Sequence, residues 1–132
     1  MTKAFVENQE WNLMISVFAM PKDTNSQDSI FGGWLLSHQD LACLSQCKLH
    51  ESGKYLTVGI RDLTFVSTVN IGDLVKVYTR VHKVGNTSIE IEQKTTKNSL
   101  DNTPEQLVSQ GVFTFVKVDQ NNTKQVIIKK LH

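Results

Sequence analysis

Few features of this 132-residue chain are extreme, and what it has little of narrows the reading first. No apolar run approaches the roughly 20 residues needed to cross a membrane. The opening residues, MTKAFVENQEW, lack the apolar core of a secretory signal, so nothing there directs export and the expected location is the cytoplasm. Net charge is only +1, which supplies no field for nucleic acid or an anionic membrane surface. Cysteine is scarce. Cys43 and Cys47 are the only two, and side chains rooted one helical turn apart seldom suit disulfide geometry. Two buried thiols in a reducing compartment is the simpler reading. His50 follows three residues later, but no fourth ligand for zinc is evident. Repeats, low-complexity segments and linkers are absent too, so residues 1–132 are expected to form one domain.

What is present falls into a simple order. Trp11 to Met20 carries Trp11, Leu13, Ile15 and Val17 at spacing two, which predicts a half-buried strand. A run of turn-formers follows Pro21, and then Trp34 to Glu51 continues without Gly or Pro, long enough for a helix of about four to five turns. The chain turns at Ser52-Gly53. From there the period becomes two: Tyr55–Val66 with Gly59 marking a bulge or a close backbone approach, then Leu74–Lys83, Thr87–Thr96 and Gln106–Val118. In the second of these, Val75, Val77, Thr79 and Val81 alternate with Lys76, Tyr78, Arg80 and His82. Gly85-Asn86 predicts a hairpin, and a short tail ends the chain. One helix beside an antiparallel sheet is an α+β two-layer arrangement in which the helix covers one sheet face.

The stretch that carries chemistry is Met20 to Asp40, MPKDTNSQDSIFGGWLLSHQD. Ile30 and Phe31 anchor the end of the loop, and Gly32-Gly33 opens the helix. Glycines at a helix start let a ligand approach the backbone, and the first N–H groups there have no intrahelical partner. Such groups suit developing negative charge. Asp40 lies two turns further along, where a carboxylate can serve as base or nucleophile. A lone helical Asp is more often a surface residue, and paired glycines also serve close packing. Asn25 and Ser29 read equally as turn-formers or as groups that orient a reactant.

In order and spacing, Met20, Pro21, Asp23, Thr24, Asn25, Ile30, Phe31, Gly32, Gly33, Trp34, Ser37 and Asp40 resemble the opening motif, roughly MPxDTNxxGxIFGGWxxSxxD, of the YciA-like acyl-CoA thioesterases of the hot-dog superfamily. Three positions depart from it: Asp28 for the usual Gly, Ser29 for Asp or Asn, and Gln39 for a common Met. The likeness continues through Phe65, Gly72 and Asp73 (with Thr68 in place of Pro), Lys83-Val84-Gly85, Thr87-Ser88 and Gly111–Asp119, so it spans Trp11 to about Val118.

The resemblance implies a hot-dog fold: one long central helix wrapped by a curved antiparallel sheet of about five to six strands. It further implies sheets joined edge to edge in a homodimer, commonly assembled as a trimer of dimers, with an active site that spans two chains. The implied reaction is hydrolysis of acyl-CoA to CoA and a carboxylic acid, with no metal and no organic cofactor. Asp40 would be general base or nucleophile, Gly33 and then Gly32 would supply the oxyanion-binding N–H groups, and Asn25 and Ser29 would assist. Arg61, Lys83, Thr87, Ser88 and Phe31 would contact substrate or CoA. Two other readings remain: a non-catalytic acyl-CoA-binding domain, for which Asp40 is not required, and a hot-dog dehydratase, for which His38 lacks the surrounding motif.

Overall fold

The computed structural model describes residues 10–25, 29–30, 32–101 and 103–131. Strand β1 (Asn12–Phe18) leads through a 3-10 turn (Pro21–Asp23) to helix α1 (Gly32–His50). Four strands follow: β2 (Lys54–Phe65), β3 (Leu74–Val84), β4 (Ser88–Asn98) and β5 (Gln106–Val118). They form one five-stranded sheet in the order β1-β3-β4-β5-β2, every neighbouring pair antiparallel. The helix lies against this sheet, as the α+β reading expects.

Alternation places the core. On β3, Val75, Val77, Thr79 and Val81 are buried, whereas Lys76, Tyr78, Arg80 and His82 are half-buried on the other face. β4 repeats this with Ile89, Ile91, Gln93 and Thr95 inward. Two apolar clusters result. One gathers Cys43, Cys47, Tyr55, Ile91, Phe113, Phe115 and Ile127; the other gathers Ala19, Ile30, Leu35, Val69, Val75 and Val108. Both cysteines are free and buried, and burial pushes the Cys47 thiol up to about 12. Buried polar groups also lie between helix and sheet. Gln46 accepts from Thr79 Oγ1 at 2.9 Å and from Asn12 Nδ2 at 2.9 Å, while Gln39 Nε2 donates to Thr95 Oγ1 at 3.1 Å. Pairing offsets the desolvation of Gln46 and ties the helix to the sheet, whereas the Oε1 of the fully buried Gln39 has no partner among the described residues.

β1 departs from its expected alternation. A bulge between Leu13 and Ile15 shifts the register by one residue, which moves every side chain before it to the opposite face. Asn12 therefore points inward to Gln46, Leu13 is 50% exposed, and Trp11 stacks under the Arg80 guanidinium at 4.0 Å. Only beyond the bulge do Ile15 and Val17 pair with Val77 and Val75 as spacing two predicts.

On β2 the register shifts between Thr57 and Gly59, so Gly59 marks a bulge; a Cβ there would meet nothing within 4 Å, which rules out a close backbone approach within the chain. At the β2–β3 turn, Gly72 has φ +93, a conformation that favours glycine; an added Cβ would meet only the tip of the exposed Leu100 side chain, which can swing away. The tail does more than the sequence suggests. Ile127 is fully buried, Gln125 N donates to the Lys117 carbonyl, and Ile127 N donates to that of Asn86.

Candidate active site

Where the N-terminal half of α1 meets the edge strand β2, the surface opens into a pocket of about 330 Å³. Among the described residues it is lined by Gly33, Leu36, Ser37 and Asp40 from the helix and by Thr57 and Ile60 from the strand. Helical spacing explains the first set, because positions 33, 36, 37 and 40 share one face. The Thr57–Gly59 bulge explains the second. Thr57 faces the helix before the bulge and Ile60 faces it after, with the extra residue taken up between them.

Asp40 is half-buried, and Thr57 Oγ1 donates to its Oδ1 at 2.7 Å. Among the described residues Thr57 is the one donor to this carboxylate, so an oxygen stays available toward the pocket. Gly33 lies seven residues before Asp40, about 10 Å of helix rise. Side chains lean toward the helix N-terminus, which brings the carboxylate back toward the glycines. The first N–H groups of α1 have no intrahelical acceptors, so the pocket has donors at one end and an acceptor at the other. Leu36 and Ile60 make the wall between them apolar.

The other residues singled out from sequence lie at varying distance from this centre. Gly32 is exposed in the first helical turn with open space around it, next to the pocket-lining Gly33. Asn25 and Ser29 sit in the preceding loop and pair with each other: Ser29 N and Oγ donate to Asn25 Oδ1 at 3.3 and 3.4 Å, and Asn25 N donates to the Ser29 carbonyl at 2.8 Å. These bonds join the two ends of the loop, and neither residue is among the described lining residues. Phe31 falls outside the described residues. Arg61 lies on the outer sheet face, ion-paired with Glu90 and Asp62, both at 2.8 Å. Lys83, Thr87 and Ser88 sit at the β3–β4 hairpin, two strands from β2. Lys97 is buried and donates to the Thr68 carbonyl. His38 stacks edge-to-face on Trp34 at 4.5 Å, and burial lowers its pKa.

A second concavity, about 400 Å³, occupies the outer face under Trp11. Its arginines are already neutralised, Arg61 by Glu90 and Arg80 by Glu92 at 2.9 Å. Such a surface offers little to an anion. Of the two concavities, the helix–β2 pocket is the candidate site. Thr57 is the residue that sequence reading passes over, since a lone strand threonine has no spacing that marks it; the adjacent Gly59 is the only local signal.

Residues 27–100 match the family model of the Thioesterase superfamily. The chain belongs to that superfamily. It is 34% identical over 118 residues to an uncharacterized acyl-CoA thioester hydrolase of Haemophilus influenzae, a match covering 87% of this chain and 77% of that one. It is 32% identical to the acyl-CoA thioester hydrolase YciA of Escherichia coli, across 82% of this chain and 84% of the relative. Among solved structures, a hexameric broad specificity acyl-coenzyme A thioesterase superimposes with TM-score 0.83 at 33% identity, covering 89% of this chain and 82% of that one. A hexameric thioesterase of Yersinia pestis gives TM-score 0.84 at 34% identity, with 88% and 94% covered. A hexameric hotdog fold thioesterase of Campylobacter jejuni gives TM-score 0.81 at 32% identity, with 87% and 89% covered, and the chain has the hot-dog fold that the motif implied.

Proposed function

We propose that this thioesterase-superfamily chain hydrolyses acyl-CoA thioesters to free CoA and a carboxylic acid, with Asp40 as general base or nucleophile. One observation carries the reading. A half-buried carboxylate, oriented by a single hydroxyl, faces an apolar-walled pocket that begins at a glycine-rich helix start. In this mechanism the thioester carbonyl oxygen lies against the N–H groups of Gly33 and Gly32, which stabilise charge as it develops on that oxygen. Asp40 either takes a proton from the attacking water or attacks the carbonyl carbon itself. In the first route the C–S bond then breaks to release CoA, which takes up that proton. In the second, CoA thiolate is expelled to give an anhydride; water then opens the anhydride to the carboxylic acid, freeing Asp40 and supplying the proton that CoA takes up. Thr57 donates to one carboxylate oxygen and thereby aims the other at the substrate. Asn25 and Ser29 hold the end of the loop beside the helix start.

A second copy of the chain belongs to the proposal. β2 is an edge strand next to the pocket, and it exposes Leu56, Val58, Ile60 and Phe65. An apolar edge of that kind is a template for pairing. Two protomers joined there form a dimer whose site both chains complete, and three dimers form the hexamer seen in the related structures. The CoA end leaves the pocket toward solvent, where Lys83, Thr87 and Ser88 of one or the other protomer contact its phosphates, while Arg61 stays in its ion pairs with Glu90 and Asp62. Two free buried thiols fit a reducing cytoplasm, and the substrate class places the enzyme in lipid metabolism.

Thiol release from acyl-CoAs spanning acetyl to palmitoyl tests the reading. Wild type should turn over, and Asp40→Ala should lose on the order of a hundredfold or more in rate. Binding of acyl-CoA without thiol release would instead identify a non-catalytic acyl-CoA-binding domain.

A further inference from the structure

Ser37 is the one polar side chain on the described pocket wall that the mechanism above leaves without a part. Asp40 is the reactive carboxylate, Thr57 orients it, Gly33 stands at the helix start, and Leu36 and Ile60 are apolar. Ser37 lies on the same helix face, one turn after Gly33 and one turn before Asp40. It therefore stands beside the place where a carbonyl would be held. Its hydroxyl hydrogen is already committed, since Oγ donates to the Trp34 carbonyl at 2.8 Å. A hydroxyl has one hydrogen and two lone pairs, so toward the pocket Ser37 can only accept. An ionised Asp40, with Oδ1 held by Thr57, likewise presents an oxygen that only accepts. Bonding back to its own helix is an ordinary habit of serine and by itself implies no role. Two acceptors one turn apart on the pocket wall define a place for a molecule with two hydrogens to give.

We propose that Ser37 is a further catalytic residue, which together with Asp40 holds the water that attacks the thioester. The inference rests on the thioesterase reading of this pocket, and it makes Asp40 a general base. Side chains three apart on a helix have Cβ atoms about 5–6 Å apart, a gap that one bridging water fills. One hydrogen of that water goes to Asp40 and the other to Ser37 Oγ. With both hydrogens directed at the helix, a lone pair points at the carbonyl carbon held at the helix start. As the water oxygen bonds to that carbon, one proton passes to Asp40. The C–S bond then breaks with its electron pair on sulfur, and CoA thiolate takes that proton back. The second hydrogen stays with the carboxylic acid.

Water has two hydrogens for this arrangement and methanol has one, which separates a water-holding role from a merely structural one. Ser37→Ala should fold, because the position is exposed and alanine favours the helix. Its hydrolytic kcat should fall roughly three- to tenfold, the contribution of one hydrogen bond, with KM for acyl-CoA unchanged. Ser37→Thr keeps a hydroxyl able to bond back to the helix and should recover most of that loss. With methanol added as a competing acceptor, Ser37→Ala should form methyl ester as fast as wild type, because methanol gives its single hydrogen to Asp40. The ester-to-acid ratio then rises by the factor that hydrolysis falls. Equal kcat in wild type and Ser37→Ala, or ester and acid falling together, overturns the role of Ser37 and leaves the thioesterase reading standing. Isotope from heavy-oxygen water recovered in the Asp40 carboxylate after one turnover overturns the direct attack of water. A wild type that releases thiol from no acyl-CoA overturns both readings.

Discussion

Two carboxylates eleven residues apart, Asp40 within α1 and Glu51 just past its end, are held in opposite ways. Glu51 is saturated. It accepts Lys117 Nζ at 2.6 Å, Lys129 N at 2.7 Å and Ile128 N at 3.0 Å. The Lys117 ammonium, with help from those backbone N–H groups and against some desolvation, holds its pKa down at about 2. Asp40 accepts one hydroxyl hydrogen among the described residues and faces an open pocket. A carboxylate whose lone pairs are all engaged fastens structure, here the C-terminal strap that buries Ile127 and is also held by His50 Nε2 at 2.6 Å from the Lys129 carbonyl. One that keeps an oxygen free can accept a proton or attack a carbonyl. On the proposed function, the helix thus has a reactive half around Asp40 and a fastened end at Glu51, just past His50.

Removing the fastener should break the comparison most strongly on the stability side. Glu51→Gln takes the charge from three hydrogen bonds and leaves the half-buried Lys117 unpaired, so unfolding in denaturant should show a loss of about 1.5–3 kcal/mol. Turnover per folded molecule should hold. A tenfold fall in turnover there would mean that the two halves are coupled.

Thr57→Val sharpens the reactive half. It deletes the single donor to Asp40 while keeping the shape of the strand side chain. Hydrogen bonds to charged groups contribute about 1.5–3 kcal/mol, so kcat/KM should drop roughly tenfold or somewhat more. Unfolding free energy should stay within about 0.5 kcal/mol, because Thr57 is exposed in the chain. An unchanged kcat/KM would remove Thr57 from the account.

The smallest effect is the pH dependence of the strap. The folded-state pKa of Glu51 lies below its ordinary value of 4.5, so its contribution to stability is complete above that value and is lost as pH falls toward 2. An acid titration followed by amide exchange in residues 125–129 should show the strap loosening in that window in wild type, with Glu51→Gln already loosened at neutral pH. Equal protection in both proteins throughout would refute the fastening role.

These contrasts also show what a sequence can disclose. β3 was readable because its alternation is unbroken from Val75 to His82 and each buried residue is apolar or, for Thr79, paired with Gln46. The motif around Gly32, Gly33 and Asp40 was readable because it is local, and a helix of standard pitch carries 33, 36, 37 and 40 onto one face. β1 was misphased because the bulge near Met14 exists only in its pairing with β3. The Glu51 fastener joins residues 66 to 78 positions apart, and nothing near Glu51 announces that span. Thr57 fell to the same difficulty, since its meaning comes from Asp40 across a gap of 17 residues. Gln39, a departure from the family's usual Met, is buried and donates to Thr95, a pairing that only the packed sheet displays.

The most direct test of the division between the two halves is Asp40→Asn, with kcat/KM for an acyl-CoA and unfolding free energy measured on the same preparation. The substitution keeps the size of the side chain and removes its charge and basicity. Activity should fall by about a hundredfold or more, while stability stays level or rises, as it does when a group is held ready for chemistry at some cost to packing. Full activity in Asp40→Asn, or a stability loss as large as that of Glu51→Gln, would contradict the assignment of Asp40 to the reactive half.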